Sequence, residues 1–129
     1  MHLIKRLTTW LLAAAMAMFT VTAWAGEVRI AVAADAANAE ATVSAVAARA
    51  PHILIFNASG TLLESHPNPA AANPGGAGPA LAAWLGEKKI GTLIAGEFGA
   101  KLVSALEAQK IKTVTASGPA GEAVKKASQ

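Results

Sequence analysis

The sequence predicts an α/β protein with a mixed β-sheet that is covered by helices. Short apolar or alternating segments of strand length recur along the chain, and two of them are separated only by a tight turn. The later strand segments alternate with amphipathic segments of helix length. Helices between successive strands require parallel crossover connections, whereas a hairpin adds an antiparallel pair, so the predicted sheet is mixed.

The first half of the chain predicts a strand and a hairpin. Residues 27–33 alternate and then become wholly apolar, which is typical of a strand that enters the interior of a sheet. The alanine-rich stretch 34–50 is equally compatible with a short helix and with a loop, because it has no clean apolar stripe. Strands are predicted at 52–57 and 61–66, joined by a turn at 58–60.

The second half predicts two helix–strand units and a terminal helix. Residues 67–78 are rich in proline and glycine, which indicates a loop. A helix is expected to begin near Gly78-Pro79, because proline suits the first helical turn and the apolar residues that follow recur at helical spacing. The remaining elements are a strand at 92–95, a helix with Phe98, Leu102, Val103 and Leu106 on its buried face, a strand at 111–115 and a helix at 119–126.

The N-terminus has the features of a secretory signal peptide. Lys5 and Arg6 precede an apolar run, and Ala23-Trp24-Ala25 provides an Ala-x-Ala cleavage site. Cleavage after Ala25 assigns residues 1–25 to the leader and residues 26–129 to a single domain. We expect the mature protein to be periplasmic and not stably inserted in the membrane. An uncleaved membrane anchor is the alternative interpretation.

Composition argues against several functional classes. Without the leader the chain carries nine basic and eight acidic residues, so its charge predicts no nucleic-acid partner. There are no cysteines, which removes disulfides, thiolate metal ligands and Cys–His catalysis. The serines lack the context of a nucleophile elbow, and no close pair of carboxylates occurs. The sequence therefore predicts a protein that is not an enzyme, and it identifies no protein partner.

Two glycine-rich turns, each before a helix, form the candidate ligand site. Their residues are Gly75, Gly76 and Gly78 in the first turn and Gly96, Glu97 and Gly99 in the second. Glycine lets the main chain approach a ligand closely, and a helix N-terminus presents unpaired N–H groups with a partial positive charge. We expect both turns to lie at neighbouring strand ends and to bind an anionic ligand through main-chain amides. The alternative is that these glycines only form tight turns.

Four further side chains are candidates. Arg49 could pair with an anionic ligand, and Asp35 follows the first strand, where open α/β sheets bind ligands. The alternatives are a solvated arginine and an aspartate that caps a turn. His52 and His66 flank the hairpin at strand ends that adjoin in an antiparallel pair, so the two rings could meet and bind copper or zinc. Unpaired surface histidines are the commoner case.

Several segments follow one another in the order and spacing of a known family. They are residues 30–35, 49–51, 53–56, 73–80, 93–99, 105–108, 111–112, 118 and 122–124. Through these segments nearly the whole mature chain resembles the dinitrogenase iron–molybdenum cofactor biosynthesis proteins, which are small carriers of iron–sulfur or molybdenum-containing clusters. The resemblance implies a three-layer α/β/α, ribonuclease H-like fold without ribonuclease activity, and an iron–molybdenum or iron–sulfur cluster as the ligand.

Two departures from the family pattern bear on function. Members usually carry His-Phe-Gly-Arg just before the second strand, with the histidine as the favoured cluster contact, whereas this chain has Val46-Ala47-Ala48-Arg49. The leader is the second departure, because cofactor assembly for nitrogenase is cytoplasmic. The sequence therefore predicts a periplasmic, non-catalytic carrier of a metal cluster or related oxyanion. The alternatives are a histidine-based copper or zinc binder, and a structural or interaction module that kept the fold and lost the site.

Overall fold

The computed structural model describes residues 28–128, which form five strands, three α-helices and one turn of 3₁₀ helix. In chain order these elements are β1 (Arg29–Ala34), the 3₁₀ helix (Ala47–Arg49), β2 (His52–Asn57), β3 (Leu62–Pro67), α1 (Ala77–Glu87), β4 (Thr92–Ala95), α2 (Ala100–Ala108), β5 (Lys112–Thr115) and α3 (Ala120–Ala127). The predicted signal peptide and its cleavage site lie outside the described residues. Within residues 28–128, no helix is both long enough and apolar enough to cross a bilayer.

The five strands form one mixed sheet in the order β3-β2-β1-β4-β5. β1 lies at the centre, where it pairs antiparallel with β2 and parallel with β4. β3 returns antiparallel to β2 as the predicted hairpin, and β5 adds a second parallel pair beside β4. Ala31 of β1 lies opposite Ile55 on one side and Leu93 on the other, which fixes the register of the three central strands.

Helices cover both faces of the sheet, which confirms the predicted three-layer α/β/α architecture. The face covered by α1 and α2, called the first face, carries Ile53, Ile55 and Leu93 packed with Leu81, Leu85, Leu102 and Leu106. The opposite or second face, covered by α3, carries Val32, Leu54, Phe56 and Ile94 packed with Ala120, Ala123 and Val124. Burying each of these leucine and isoleucine side chains contributes about 1.5–3 kcal/mol to the hydrophobic stabilisation.

The two helix–strand units end their helices in the same way. A lysine in the left-handed region follows each helix, Lys89 with φ 60° and Lys110 with φ 61°. The next residue in each case is a buried isoleucine, Ile90 or Ile111, whose N–H donates to the carbonyl of a leucine five residues earlier. This pattern matches a Schellman motif with its apolar contact, and it turns the chain directly into β4 and β5.

A loop segment extends the sheet between the ends of β1 and β4. The N–H of Ser44 donates to the carbonyl of Ala33 at 2.7 Å, and the N–H of Gly96 donates to the carbonyl of Ser44 at 2.9 Å. Residues 34–50 are therefore mainly a loop with a single 3₁₀ turn, one of the two arrangements that the sequence left open. The loop occupies the gap between two parallel strands where open α/β sheets commonly bind ligands.

Candidate functional site

Two open clefts lie near the edge of the sheet where β1, β4 and β5 end. The first has a volume of about 400 Å³ and lies between the N-termini of α1 and α2. Its lining residues are Val46, Ala48, Arg49, Pro74, Gly75, Gly76, Ala77, Gly78, Phe98, Gly99, Ala100, Lys101 and Leu102, and we call it the glycine cleft. The second has a volume of about 510 Å³ and includes Asp35, Gly96, Glu97 and Ser117; we call it the acidic cleft.

The first wall of the glycine cleft is the N-terminus of α1. Gly76 caps this helix with φ 69°, a left-handed conformation that most side chains disfavour. The N–H groups of Gly76, Ala77 and Gly78 have no partner within the helix, because the first turn of any α-helix leaves its donors free. Among the described residues, no side chain caps this terminus. The turn therefore presents main-chain donors and the positive end of the helix dipole to the cleft.

The second wall is the N-terminus of α2. Gly99 precedes the helix with φ 78° and ψ 151°, a region of backbone space that is essentially restricted to glycine. No side chain within residues 28–128 caps this helix either. The N–H groups of Gly99, Ala100 and Lys101 consequently lack intrahelical partners.

The two helix N-termini are held together by a close backbone approach. A Cβ atom on Gly78 would lie 3.1 Å from the main-chain N and Cα of Leu102 in the first turn of α2. Gly75, by contrast, has no atom within 4 Å of the position that its Cβ would take. Gly78 thus allows the helices to pack, whereas Gly75 leaves open space above the cleft.

Two cations and no carboxylate line the glycine cleft among the described residues. Arg49, the last residue of the 3₁₀ helix, donates from Nη1 to the carbonyl oxygens of Ala71 at 3.2 Å and Asn73 at 2.8 Å. Both acceptors are uncharged, so the guanidinium keeps its full charge beside the cleft. Lys101 contributes the second cation from the first turn of α2. Together with the two helix termini, these side chains make the cleft electropositive.

The described residues that line the glycine cleft include no histidine, aspartate or glutamate, and the chain has no cysteine. Val46 is 42% exposed and lies in the lining, at the position where the resemblance implies a histidine. A metal ion would find no side-chain ligand here. A ligand would have to carry its own ligand shell and accept hydrogen bonds through its outer atoms.

Three of the predicted site residues lie outside the glycine cleft. The acidic cleft is lined instead by Asp35, Gly96 and Glu97. The expected role of the Gly96 amide is wrong, because its N–H already donates to the carbonyl of Ser44. Glycine is needed there for space, since a Cβ would lie 2.8 Å from the carbonyl oxygen of Ala45. Asp35 accepts a hydrogen bond from the Ser44 hydroxyl at 2.5 Å, so its carboxylate organises the loop, as the capping alternative expected.

The predicted meeting of the two histidine rings is wrong. His52 pairs with Pro67, whereas His66 pairs with Ile53, so His52 and His66 lie on opposite faces of the sheet. His66 lies on the first face, where its ring meets the edge of Trp84 at a centroid distance of 5.2 Å. Within residues 28–128, no group of three or more His, Asp or Glu side chains could hold a metal ion.

Lys101, Phe98 and Val46 line the glycine cleft but were not candidates from the sequence. Lys101 could have been found from the sequence. A cation two residues after Gly99 falls in the first helical turn, where its main-chain N–H and its charge are both close to the helix N-terminus. Phe98 was assigned to the core and does pack against it while also reaching the cleft. The side chain of Val46 has no polar or charged group, so the sequence alone did not indicate a role in ligand binding.

The fold and the cleft define a small ribonuclease H-like α/β domain with main-chain amides around an open, electropositive cleft. Residues 28–129 match the family model described as dinitrogenase iron–molybdenum cofactor, and the chain belongs to that family. No curated protein matches the sequence.

Solved structures with the same fold are similar over most of the chain. The apo form of the orange protein from Desulfovibrio gigas is 28% identical with a TM-score of 0.71, covering 76% of this chain and 84% of that one. TM1290 of Thermotoga, a NifB-like protein of the DUF35 family, is 28% identical with a TM-score of 0.66, covering 78% and 87%. PH0822, at 14% identity and a TM-score of 0.63, covers 78% and 89% and supports the fold alone.

Proposed function

We propose that this protein is a non-catalytic carrier that binds a pre-assembled iron–sulfur or molybdenum-containing cluster, or a related oxyanion, in the periplasm. Membership of the dinitrogenase iron–molybdenum cofactor family supports a role with a metal cluster. The cluster is the cargo of the carrier and binds in the glycine cleft.

One observation carries the proposal. The N-termini of α1 and α2 face the same cleft beside Arg49 and Lys101, and no carboxylate in the described part of the chain lines it. Clusters with sulfide or oxo groups, molybdate and phosphate are all anions with several outer acceptor atoms. Such an anion accepts hydrogen bonds from several N–H groups at once and is stabilised by both helix dipoles.

The lining also favours a ligand that arrives complete. Because the cleft offers donors and positive charge but no metal-ligating side chain among the described residues, the metal must keep its own sulfide or oxo ligands. Main-chain amides, arginine and lysine hold an anion without exchanging protons with it at neutral pH. Binding without chemical conversion fits these groups better than catalysis does.

The periplasmic part of the proposal rests on the predicted leader in residues 1–25. An exported member of this family would carry a cluster for a purpose other than nitrogenase assembly. The histidine-based metal binder is not proposed, because the sheet register separates His52 from His66.

The test is a titration with tetrathiomolybdate and with molybdate, measured by isothermal titration calorimetry. Gly75→Val adds a side chain where nothing lies within 4 Å of the Cβ position, so the fold should tolerate it while the cleft is obstructed. Gly91→Val is the matched control, because its Cβ would meet only the Arg29 carbonyl at 3.9 Å, at the opposite end of the sheet.

We expect the wild type and Gly91→Val to bind at least one of the two anions and Gly75→Val to bind it at least about tenfold more weakly. Equal affinities for all three proteins would place binding elsewhere and contradict the proposal. No binding by a folded wild type would favour the remaining alternative, a structural or interaction module without a ligand.

A further inference from the structure

Asn68 is one of two polar residues that are buried within residues 28–128; the other is Ser44. It follows β3 and begins the loop that leads to α1. Its side-chain Nδ2 lies 3.2 Å from the carbonyl oxygen of Ala48 and 3.5 Å from that of Ala47. Its Oδ1 accepts a hydrogen bond from the main-chain N–H of Ala70 at 2.9 Å.

These hydrogen bonds join two segments beside the glycine cleft. Ala47 and Ala48 belong to the 3₁₀ helix that ends at Arg49, whereas Ala70 belongs to the loop that leads into the first glycine turn. The main-chain N–H of Asn68 is itself fixed, because it donates to the carbonyl of Pro51 at 3.0 Å. A carboxamide has both donors and acceptors, so one buried side chain can hold both segments at once.

Arg49 links the same two segments at the surface. Its hydrogen bonds to the carbonyls of Ala71 and Asn73 are exposed, so water or an anion can replace them at little cost. The Asn68 side chain is buried, as are its hydrogen bonds to Ala47 and Ala70, and breaking them leaves buried polar groups without partners. The link through Asn68 is therefore mostly buried, whereas the link through Arg49 is exposed.

We propose that Asn68 is a positioning residue that holds Arg49 beside the first glycine turn, so that the guanidinium and the helix N-termini face one anion. This inference rests on the proposed function. The spacing of the two helix N-termini is set separately, by the contact between Gly78 and Leu102. Asn68 consequently acts on a bound anion through Arg49.

The test is a double-mutant cycle with tetrathiomolybdate and molybdate as the probes, at a temperature where circular dichroism shows every variant folded. Asn68→Leu is similar in size, adds no charge and loses both the donors and the acceptor. It should weaken binding about three- to tenfold in the wild-type background and less than about twofold in an Arg49→Ala background. Asn68→Ser replaces it if the leucine variant does not fold.

Ser44→Ala is the matched control, because it removes the other buried polar side chain, whose hydroxyl donates to Asp35 on the acidic cleft. We expect this variant to bind both anions as the wild type does. An Asn68 substitution that weakens binding equally with and without Arg49 would overturn the inference, as would an Asn68 effect matched by Ser44→Ala.

A ligand-free measurement separates this inference from the proposed function. The N–H of Ala71 donates to the Asn68 carbonyl at 3.3 Å, and the N–H of Asn73 donates to that of Ala70 at 3.1 Å. Amide hydrogen exchange at both should accelerate at least about tenfold in the Asn68 variant and not in Ser44→Ala. If the wild type binds neither anion, the proposed function fails. Unchanged exchange at these two amides in the Asn68 variant overturns the positioning role, whatever the result with the anions.

Discussion

Arg29 of β1 and Glu64 of β3 form an ion pair across β2, the strand that lies between them. Arg29 Nη2 lies 2.5 Å from one carboxylate oxygen of Glu64, and His66 Nε2 lies 2.7 Å from the other. The pKa of Glu64 is lowered from 4.5 to about 2. The hydrogen bond from Arg29 is the main cause, and the hydrogen bond from His66 is the second. The group therefore fastens the edge hairpin to the centre of the sheet.

We predict that Glu64 makes stability depend on pH in the acid range. A pKa that is lower in the folded state means that the unfolded chain takes up a proton first as the pH falls. The contribution of Glu64 is present above its unfolded pKa near 4.5 and is lost as the pH falls towards about 2. Urea denaturation should show a Glu64→Gln deficit that is largest at neutral pH and shrinks over this interval; a deficit that stays constant down to pH 2 would contradict it.

Substitution by alanine should destabilise the protein at Gly78 and have little effect at Gly75. Gly78→Ala places a Cβ 3.1 Å from main-chain atoms of Leu102, which cannot move aside cheaply. Such overpacking costs about 1–3 kcal/mol, more than the gain of up to about 1 kcal/mol from alanine in a helix. Gly75→Ala meets nothing within 4 Å and should change the free energy of unfolding by less than about 0.5 kcal/mol. Chemical denaturation measures both, and equal stability of the two variants would refute the assigned contact.

The strands and helices could be predicted from the sequence because their pattern is local. The apolar runs gave β1, β2 and β4, and the helical spacing of Leu81, Trp84 and Leu85 gave α1. The segment around Ser44 could not be predicted, because long-range hydrogen bonds to Ala33 and Gly96 hold it, and its alanine-rich composition encodes none of them. The position of this segment is set by the tertiary structure and not by its local sequence.

The arrangement of the candidate residues was predictable in part. One cleft is lined by five of the candidate residues, Arg49, Gly75, Gly76, Gly78 and Gly99. The glycines could be predicted because a glycine turn before a helix exposes the main-chain donors of the helix N-terminus. The histidine pair failed because a strand alternates faces at every residue, so a one-residue offset in register separates two rings that look adjacent in sequence.

Removing either cation of the glycine cleft should weaken anion binding. Arg49→Ala and Lys101→Ala each delete one positive charge from the lining, and we expect the dissociation constant for molybdate to rise about three- to tenfold in each. Lys112→Ala is the control, since Lys112 is exposed on β5 outside this cleft. Calorimetry at two salt concentrations should also show a smaller salt dependence for the two cleft variants. An effect of Lys112→Ala as large as theirs would indicate only a long-range influence of net charge.

Export should remove the predicted leader. Intact-mass measurement of the full chain, produced in a host that exports proteins, should give a product that begins at Gly26 in the periplasmic fraction. Ala25→Phe places a large side chain in the small-residue position of the cleavage site, so this variant should keep residues 1–25. Recovery of the wild-type chain intact from Met1 would contradict the cleaved leader, and its recovery in the cytoplasmic fraction would contradict the periplasmic location.

The most direct measurement is an NMR titration of ¹⁵N-labelled protein with tetrathiomolybdate, read amide by amide. If the glycine cleft binds an anion through its main-chain donors, the largest shifts will fall on Gly75 to Gly78 and Gly99 to Lys101, with smaller ones at the Gly96 amide that already donates to Ser44. Saturating shifts confined to the acidic cleft or to the two histidines, with both glycine turns unmoved, would contradict the central claim.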